Sequence, residues 1–303
     1  MEVKKKILLI ARARTSDAKE RAKAFANKIQ DRVGSDIEIE NCEISELFFE
    51  LSKDKVAIYH SEKNFDLREF DLVVIRHIGN CSVEAHAITQ YCEYFNIPYM
   101  DRYLNRLLLD NKVSTQFTLW FAGIKDWPHT FYGDRREMRR RFHELGGRAI
   151  LKDNEGSRGR LNFLVSSADE IDNIHTEHPG VRFVLQECIP NSGDFRVLIF
   201  NDKPALAIKR VGVGGSHLNN TSQGGCAHVV PMESLPKKVV DACVAAARAV
   251  KLQVAGVDVM FDDRDNSVYF LEINNAPQIS TGSFTEEKAD KYSQMLVSMV
   301  KGE

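Results

Sequence analysis

The chain has 303 residues, enough for two or three domains with real cores. Lys and Arg number 41 against 43 Asp and Glu, a formal net charge of −2 that excludes a general attraction to nucleic acid or to an anionic membrane surface. No apolar run approaches a membrane span, and MEVKKKILLIAR is too short in its apolar part for a signal peptide, so neither a membrane nor an export role is expected.

Ile7 to Ala11 reads as a first buried strand. Asp17 to Val33 reads as an amphipathic helix with Ala22, Phe25, Ala26 and Ile29 at helical spacing. Ile37 to Asn41 alternates like a strand. Phe70 to Gly79, FDLVVIRHIG, carries the short apolar run of a parallel strand covered on both faces. Val83 to Tyr94 follows as a helix and Ile97 to Met100 as a short strand. Strands alternating with helices predict an α/β N-terminal unit. No Gly-x-Gly-x-x-Gly follows the first strand, which argues against a dinucleotide role. Cys42, Cys81, Cys92, Cys188, Cys226 and Cys243 contain no Cys-x-x-Cys pair and read as reduced thiols of a cytoplasmic protein.

Leu104 to Gly123 reads as one helix with Gly123 as its C-cap and Pro128 just beyond. Asp134 to Phe142, DRREMRRRF, reads as a solvated basic helix face rather than a polyanion site. Arg148 to Lys152 and Arg160 to Val165 read as strands around the loop Asp153 to Gly159. Phe183 to Glu187, Asp194 to Phe200 and Ala205 to Arg210 are three more, the last two a hairpin about Asn201, Asp202 and Lys203. Val211 to Gly225 is polar and glycine-rich, and is expected to be ordered mainly by ligand. Pro236 opens a helix that runs to about Lys251 and packs on the sheet beside the next hairpin.

That hairpin, Gly256 to Pro277, holds the clearest chemistry. Val257 to Phe261 and Val268 to Asn274 alternate as strands around an acidic turn. With Asp262 facing Val268, Asp258 falls opposite Glu272, and Asn274 lies two residues further on the same face. Opposed side chains stand roughly 5 Å apart at Cβ, where like charges repel. Two carboxylates and an amide oxygen converging there suit Mg²⁺ (or Mn²⁺); the alternative is a sheet edge whose polar residues face solvent.

Lys152 ends an apolar strand just before the loop NEGSRG. A buried-side ammonium there needs an anion, and Gly156, Ser157 and Gly159 offer a hydroxyl and closely approachable backbone N–H groups to phosphate. Arg196 and Arg210, on adjacent strands, suit phosphate or developing acyl-phosphate charge; a surface pairing with Asp194 is the alternative. Cys188 reads equally as a small core residue, and His217 as a base or a structural loop residue.

A strand ending in Asp, then Glu-x-Asn before a Pro-containing loop, resembles the metal end of the ATP-grasp enzymes. LEINNAPQI resembles the RimK-type amino-acid ligases in particular. The resemblance implies an ATP-grasp fold of the α/β class, built of α+β modules. It would comprise an N-terminal α/β domain over residues 1–104, a central lid module over 105–185 and a C-terminal module with the metal site over 186–303. It implies ATP as cofactor. Lys112 and Lys152 with Gly156, Ser157 and Gly159 would hold the phosphates, Gln186, Glu187, Cys188 and Ile189 the adenine, Asp194 the ribose and Asn220 the nucleotide and metal side. Asp258, Glu272 and Asn274 would hold Mg²⁺, and Arg196 and Arg210 would stabilise the transferring group. Departures stand at Gln278, where the family has Gly, at Leu218-Asn219 for Arg-Ser, and at Ser222-Gln223 for His-Arg. The two missing cations imply a substrate other than a polyanionic peptide. The implied activity joins a carboxylate to an amine, an amino acid or peptide, through an acyl-phosphate, releasing ADP and phosphate. An ATP-grasp kinase or an ATP-binding regulator is the alternative, and a homo-oligomer is left open.

Overall fold

The computed structural model describes residues 4–12, 15–51, 56–60, 62–105, 111–156, 159–212 and 225–302. The chain forms two compact units. One comprises Met1–Leu108, Lys251–Val254 and Asn275–Glu303; the other comprises Leu109–Val250 and Ala255–Asn274.

The first unit is built on a parallel sheet in the order β2 (Ile37–Glu43), β1 (Lys5–Ala11), β6 (Leu72–Arg76), β7 (Tyr99–Met100). Every residue of β6 is buried, as its unbroken apolar run requires of a strand covered on both faces. Leu8, Ile10, Val73 and Ile75 pack with Ile88 and Cys92 of α2 (Ser82–Tyr94) in a buried apolar core. The antiparallel strands β3 (Phe48–Leu51), β4 (Val56–His60) and β5 (Phe65–Asp66) add a small sheet that the sequence reading did not anticipate. Helix α1 (Ser16–Val33) starts at Thr15, whose hydroxyl accepts from Ala18 N at 3.2 Å.

The last helix of the chain, α7 (Thr285–Lys301), was likewise not anticipated, and it packs against α1. Phe25 and Tyr292 bring their ring centres to 5.8 Å. Arg32 Nε donates to Asp290 at 2.6 Å, and Lys28 and Arg32 share Glu286.

In the second unit, an antiparallel sheet runs β10 (Asn162–Val165), β9 (Ala149–Asp153), β11 (Phe183–Glu187), β8 (Thr130–Tyr132). Leu151, Phe183 and Leu185 pack on Met138 of α4 (Arg135–Arg141) and Ile171 of α5 (Ala168–Glu177). The arginines of α4 pair with Glu137, Glu144, Asp169 and Asp172 on the surface, as a solvated face should. A second sheet runs β14 (Cys226–Val230), β13 (Lys203–Val211), β12 (Asp194–Phe200), β15 (Val254–Phe261), β16 (Val268–Asn274), with α6 (Lys237–Ala249) packed on it.

The single helix expected over Leu104 to Gly123 is not formed. A 3-10 turn covers Arg102–Asn105, residues 106–110 lie outside the described residues, and α3 (Lys112–Phe121) starts afresh. Asn111 is extended, and its side chain accepts from Ser114 N at 2.9 Å; this N-cap sets the start. The C-cap is Ala122, one residue before Gly123.

Asp101 explains why Lys251–Val254 belongs to the first unit. Its Oδ1 accepts from Gln253 N at 2.9 Å and Val254 N at 3.1 Å. Arg76 Nη1 stands 3.7 Å from Oδ2. Burial pushes the Asp101 carboxyl up to about 6 against the Arg76 charge and the two amides. The folded form therefore keeps a proton that the unfolded chain releases near pH ~4, so this contribution is complete below that pH and is lost as pH rises through about 6. Urea unfolding of the wild type and of Asp101→Asn, which cannot titrate, should show their stability difference moving against the wild type by roughly 3 kcal/mol between pH ~4 and ~7. A difference independent of pH would refute the buried, proton-holding carboxyl.

Candidate active site

Both sheets of the second unit contribute to one pocket. Lys152 is buried near the end of β9, facing Val184 of β11 and Asn162 of β10 across the ladder. Its Nζ donates to Gln186 Oε1 at 2.7 Å, and Gln186 Nε2 donates to Thr130 Oγ1 at 2.9 Å. No carboxylate among the described residues comes within ion-pair distance of Lys152. Burial pushes this ammonium down to about 8; the Lys112 charge adds to the effect and Glu272 opposes it. A buried cation whose hydrogen-bond partner is a neutral amide favours the arrival of an anion.

Lys112, the first residue of α3, reaches the same space. Its Nζ donates to Gly156 O at 2.5 Å and lies 3.9 Å from Glu272 Oε1. The N-terminus of α3 is tied to the loop after β9 by Lys112 N to Asn154 O and Val113 N to Asn154 Oδ1, each 3.0 Å. Gly156 is needed there, because a Cβ would meet the Asp153 side chain at 2.8 Å. Gly159 also lines the pocket. Ser157 and Asn220 lie outside the described residues, as does His217.

In the segment expected to hold adenine, Gln186, Glu187, Cys188 and Ile189 all line the pocket. Glu187 N is committed to His129 O at 2.8 Å, and Ile189 O accepts from Asn191 Nδ2 at 3.0 Å. Cys188 is half-buried, and burial raises its thiol.

The hairpin brings Asp258 directly opposite Glu272 and Gly256 opposite Asn274. Further out the expected register fails: Phe261, not Asp262, faces Val268. A bulge after Asp258 sets two residues, Leu271 and Glu272, against one step of β15. It also turns Leu271 into the pocket wall, where strict alternation would have hidden it. Met260 and Ile150 line the pocket as well, and their two-residue spacing from Asp258 and Lys152 was a readable signal.

Asp258 is buried and bound on two sides. Arg196 grips it with Nε to Oδ1 at 2.8 Å and Nη2 to Oδ2 at 2.7 Å, and Arg210 Nη2 stands 3.1 Å from Oδ2. Burial works to raise this carboxyl, but Arg196 and Arg210 outweigh it and hold it below the usual range. Arg210 Nε also donates to Asp194 Oδ1 at 2.6 Å, so the Arg–Asp pairing named as the alternative exists, buried rather than at the surface. Asp194 goes the other way: burial raises it despite Arg210. Gly193 permits the close pairing of the two strands here, since a Cβ would meet Arg210 O at 2.4 Å.

Glu272 is partly exposed, and burial of its surroundings together with the Asp258 charge raises its carboxyl against Lys112 and Lys152. It accepts no hydrogen bond among the described residues. Asn274 turns Nδ2 toward Asp258 Oδ2 at 3.3 Å and Gly256 O at 3.4 Å, and its Oδ1 accepts no hydrogen bond among the described residues. Glu272 and Asn274 thus supply available hard oxygens, and Asp258 a shared carboxylate. Among the described residues no group of three or more His, Cys, Asp or Glu could hold a metal. Two carboxylates and an amide still fit Mg²⁺, which fills its shell with water and phosphate oxygen.

Asp258→Ala should cost about 3–5 kcal/mol in urea unfolding, because it strands Arg196 and half-strands Arg210. Glu272→Gln should change stability by no more than about 1 kcal/mol. Equal losses would mean that Asp258 is not the structural anchor of the pair.

Residues 123–299 match the family model described as RimK-like ATP-grasp domain. The chain is 30% identical over 165 residues to "Probable alpha-L-glutamate ligase 2" of Shewanella baltica (strain OS195), covering 52% of this chain and 53% of that protein. It therefore spans about half the length of this curated relative. The solved ATP-grasp ligase PsnB, complexed with a phosphomimetic variant of minimal precursor, Mg and ADP, superposes with a TM-score of 0.71 at 15% identity, covering 99% of this chain and 100% of that chain. D-alanyl-alanine synthetase A from Vibrio cholerae O1 biovar eltor str. N16961 superposes with a TM-score of 0.70 at 16% identity, covering 100% and 99%. At these identities the two structures establish the fold.

Proposed function

The chain belongs to the RimK-like ATP-grasp family, and from that premise we propose that it is an ATP-dependent carboxylate–amine ligase. The observation that carries the nucleotide part is Lys152: a buried ammonium with a neutral amide partner, beside Lys112 and a glycine-bearing loop, suits the phosphates of ATP. Gln186 to Ile189 offer the adenine wall, with Ile150 and Met260 as apolar floor. Ser157 and Asn220 keep their expected nucleotide roles within this proposal, and Asp194 its place on the ribose side of the pocket. Within this proposal residues 105–185 are the lid module and 186–303 the metal-bearing module, of which Lys251–Val254 and Asn275–Glu303 group with the N-terminal unit.

Asp258, Glu272 and Asn274 would hold Mg²⁺, which neutralises phosphate charge when bound. The substrate carboxylate oxygen attacks the γ-phosphorus, the bond to the β-phosphate oxygen breaks, and ADP leaves. Arg196 and Arg210 present guanidinium charge toward the transferring group, their orientation fixed by Asp258 and Asp194. The amine nitrogen then attacks the acyl carbon, phosphate leaves, and the nitrogen loses a proton to form the amide. The named relatives make glutamate the first amino acid to test. With no helix among the described residues long and apolar enough to cross a membrane, a cytoplasmic place suits an ATP-consuming enzyme.

The reaction is tested by supplying ATP, Mg²⁺ and pools of amino acids, glutamate included, with short peptides. ADP and phosphate should appear, and hydroxylamine should trap a hydroxamate in step with ADP. AMP and pyrophosphate would exclude the mechanism, and a stable phosphoester without hydroxamate would make the protein a kinase. Glu272→Gln should abolish Mg²⁺-dependent turnover while the fold stays intact.

Affinity for an ATP analogue should fall as pH rises through about 8, where Lys152 loses its charge. Lys152→Gln should bind weakly and without that dependence. A wild-type affinity flat across the same range would remove Lys152 from the phosphate site.

A further inference from the structure

One short connector carries the chain from the first sheet of the second unit to the other. It leaves β11 at Glu187 and enters β12 at Asp194. Its residues Glu187, Cys188, Ile189 and Asn191 line the pocket, and they form the wall that the nucleotide reading gives to adenine. Residues 188–193 belong to no strand, so no ladder fixes them, and their position depends on what grips them from behind.

The grip comes from the turn of the β15–β16 hairpin. Asp263 Oδ1 accepts from Ser192 N at 3.1 Å, and its two carboxylate oxygens accept from Ser192 Oγ at 3.0 and 2.9 Å. Asp263 N in turn donates to Pro190 O at 3.0 Å. The neighbouring Arg264 is held on Asp262, with Nε at 2.9 and 3.0 Å from its two oxygens, and Arg264 Nη2 stands 3.6 Å from Glu187 Oε1. The turn thus meets the connector near both ends of the pocket wall, at Glu187 and at Pro190 and Ser192.

The turn can hold the connector because it is itself fixed. Asp262 N donates to Ser267 O and Asn266 N to Asp262 O, each at 2.8 Å, and Asp265 Oδ1 accepts from Ser267 N at 2.8 Å. Asn266 takes the left-handed backbone at φ +62°, which asparagine tolerates. The connector is braced from within as well. Asn191 Nδ2 donates to Ile189 O at 3.0 Å, and Asn191 Oδ1 accepts from Gly193 N at 3.1 Å.

The same hairpin carries Asp258 and Glu272. Asp263 follows Asp258 by five residues, up to about 17 Å of extended chain, so one hydrogen-bonded element spaces the proposed metal ligands from the base wall. We propose that Asp263 is a positioning residue for the nucleotide: by holding Ser192 and Pro190 it sets the adenine wall at a fixed distance from the phosphate-binding end. The inference rests on the nucleotide reading of this pocket. Without the grip the wall is correctly placed for only part of the time, and the apparent affinity falls by that fraction.

Calorimetric titration of the full chain with a non-hydrolysable ATP analogue and, separately, with tripolyphosphate, both with Mg²⁺, tests this. Asp263→Ala should weaken the analogue about fivefold, the loss of one net hydrogen bond, and leave tripolyphosphate unchanged, since that ligand has no base to meet the wall. Asp263→Asn keeps an oxygen acceptor for Ser192 N and should bind the analogue within about twofold of wild type. Ser192→Ala removes only the hydroxyl bonds and should show a smaller loss than Asp263→Ala, again confined to the analogue. An Asp263→Ala affinity for the analogue equal to wild type, an Asp263→Asn affinity as weak as that of Asp263→Ala, or equal weakening of the two ligands in both Asp263→Ala and Ser192→Ala overturns the proposal and leaves the nucleotide reading standing. A wild type that binds the analogue no more tightly than tripolyphosphate overturns the adenine wall itself, and this proposal with it.

Discussion

The second unit depends on one buried carboxylate. Asp258 takes two hydrogen bonds from Arg196 and a further contact from Arg210, which also holds Asp194. These residues lie on β12, β13 and β15, so the network joins three strands of one sheet at the edge of the pocket. Arginine suits the task because its planar fork satisfies two oxygens at once and stays charged when buried. A buried ion network of this kind contributes little net stability but penalises any register that separates its members. It therefore serves alignment more than cohesion.

The same network sets the electrostatics of the pocket. Lys112, Lys152, Arg160 and Arg210 line the pocket with Asp153, Glu187, Asp194, Asp258 and Glu272, and Arg196 is tied to it through Asp258. Asp258 and Asp194 orient Arg196 and Arg210, whereas Lys152 has only the neutral Gln186 amide as its hydrogen-bond partner among the described residues. Glu272 is the complementary case, a carboxylate held above its usual range because Asp258 lies opposite and the chain surrounds it. An anionic ligand relieves the first and a cation relieves the second, so a metal–polyphosphate complex would relieve both.

Much of this pocket was readable from alternation alone. The Val-x-Val-x-Phe and Val-x-Phe-x-Glu-x-Asn patterns mark the two strands, and the strand ending at Lys152 before a glycine loop stands where it was expected, but Asp258 faces Glu272 only because a bulge offsets the one-residue error in the expected turn register. The bulge was not readable, because an extra residue in one strand leaves no mark in a period-two pattern whose turn is uniformly polar. Ser167 and Glu170 did carry a helix-start signal for α5, with Ser167 accepting from Glu170 N at 3.3 Å, and that signal was overlooked. The lysine of α3 illustrates a different limit. Asn111 could be seen as polar, but only its bond to Ser114 N makes it the residue that starts the helix and aims Lys112.

By itself the sequence determined the class of fold, the two strands that carry the hairpin carboxylates and the family. These rest on local periodicity and on residues within about twenty positions of one another, which strand geometry places almost without choice. Tertiary structure decided who neutralises whom. Arg196 meets Asp258 across 62 positions, Lys112 meets Gly156 across 44, and Asp101 gathers Gln253 and Val254 across 152 and 153. It also decided that Arg76, the last residue of β6, keeps a buried Nη1 without a hydrogen-bond partner among the described residues. No propensity or spacing encodes such pairings, because a charge is indifferent to sequence distance and responds only to what folding brings within a few ångströms of it.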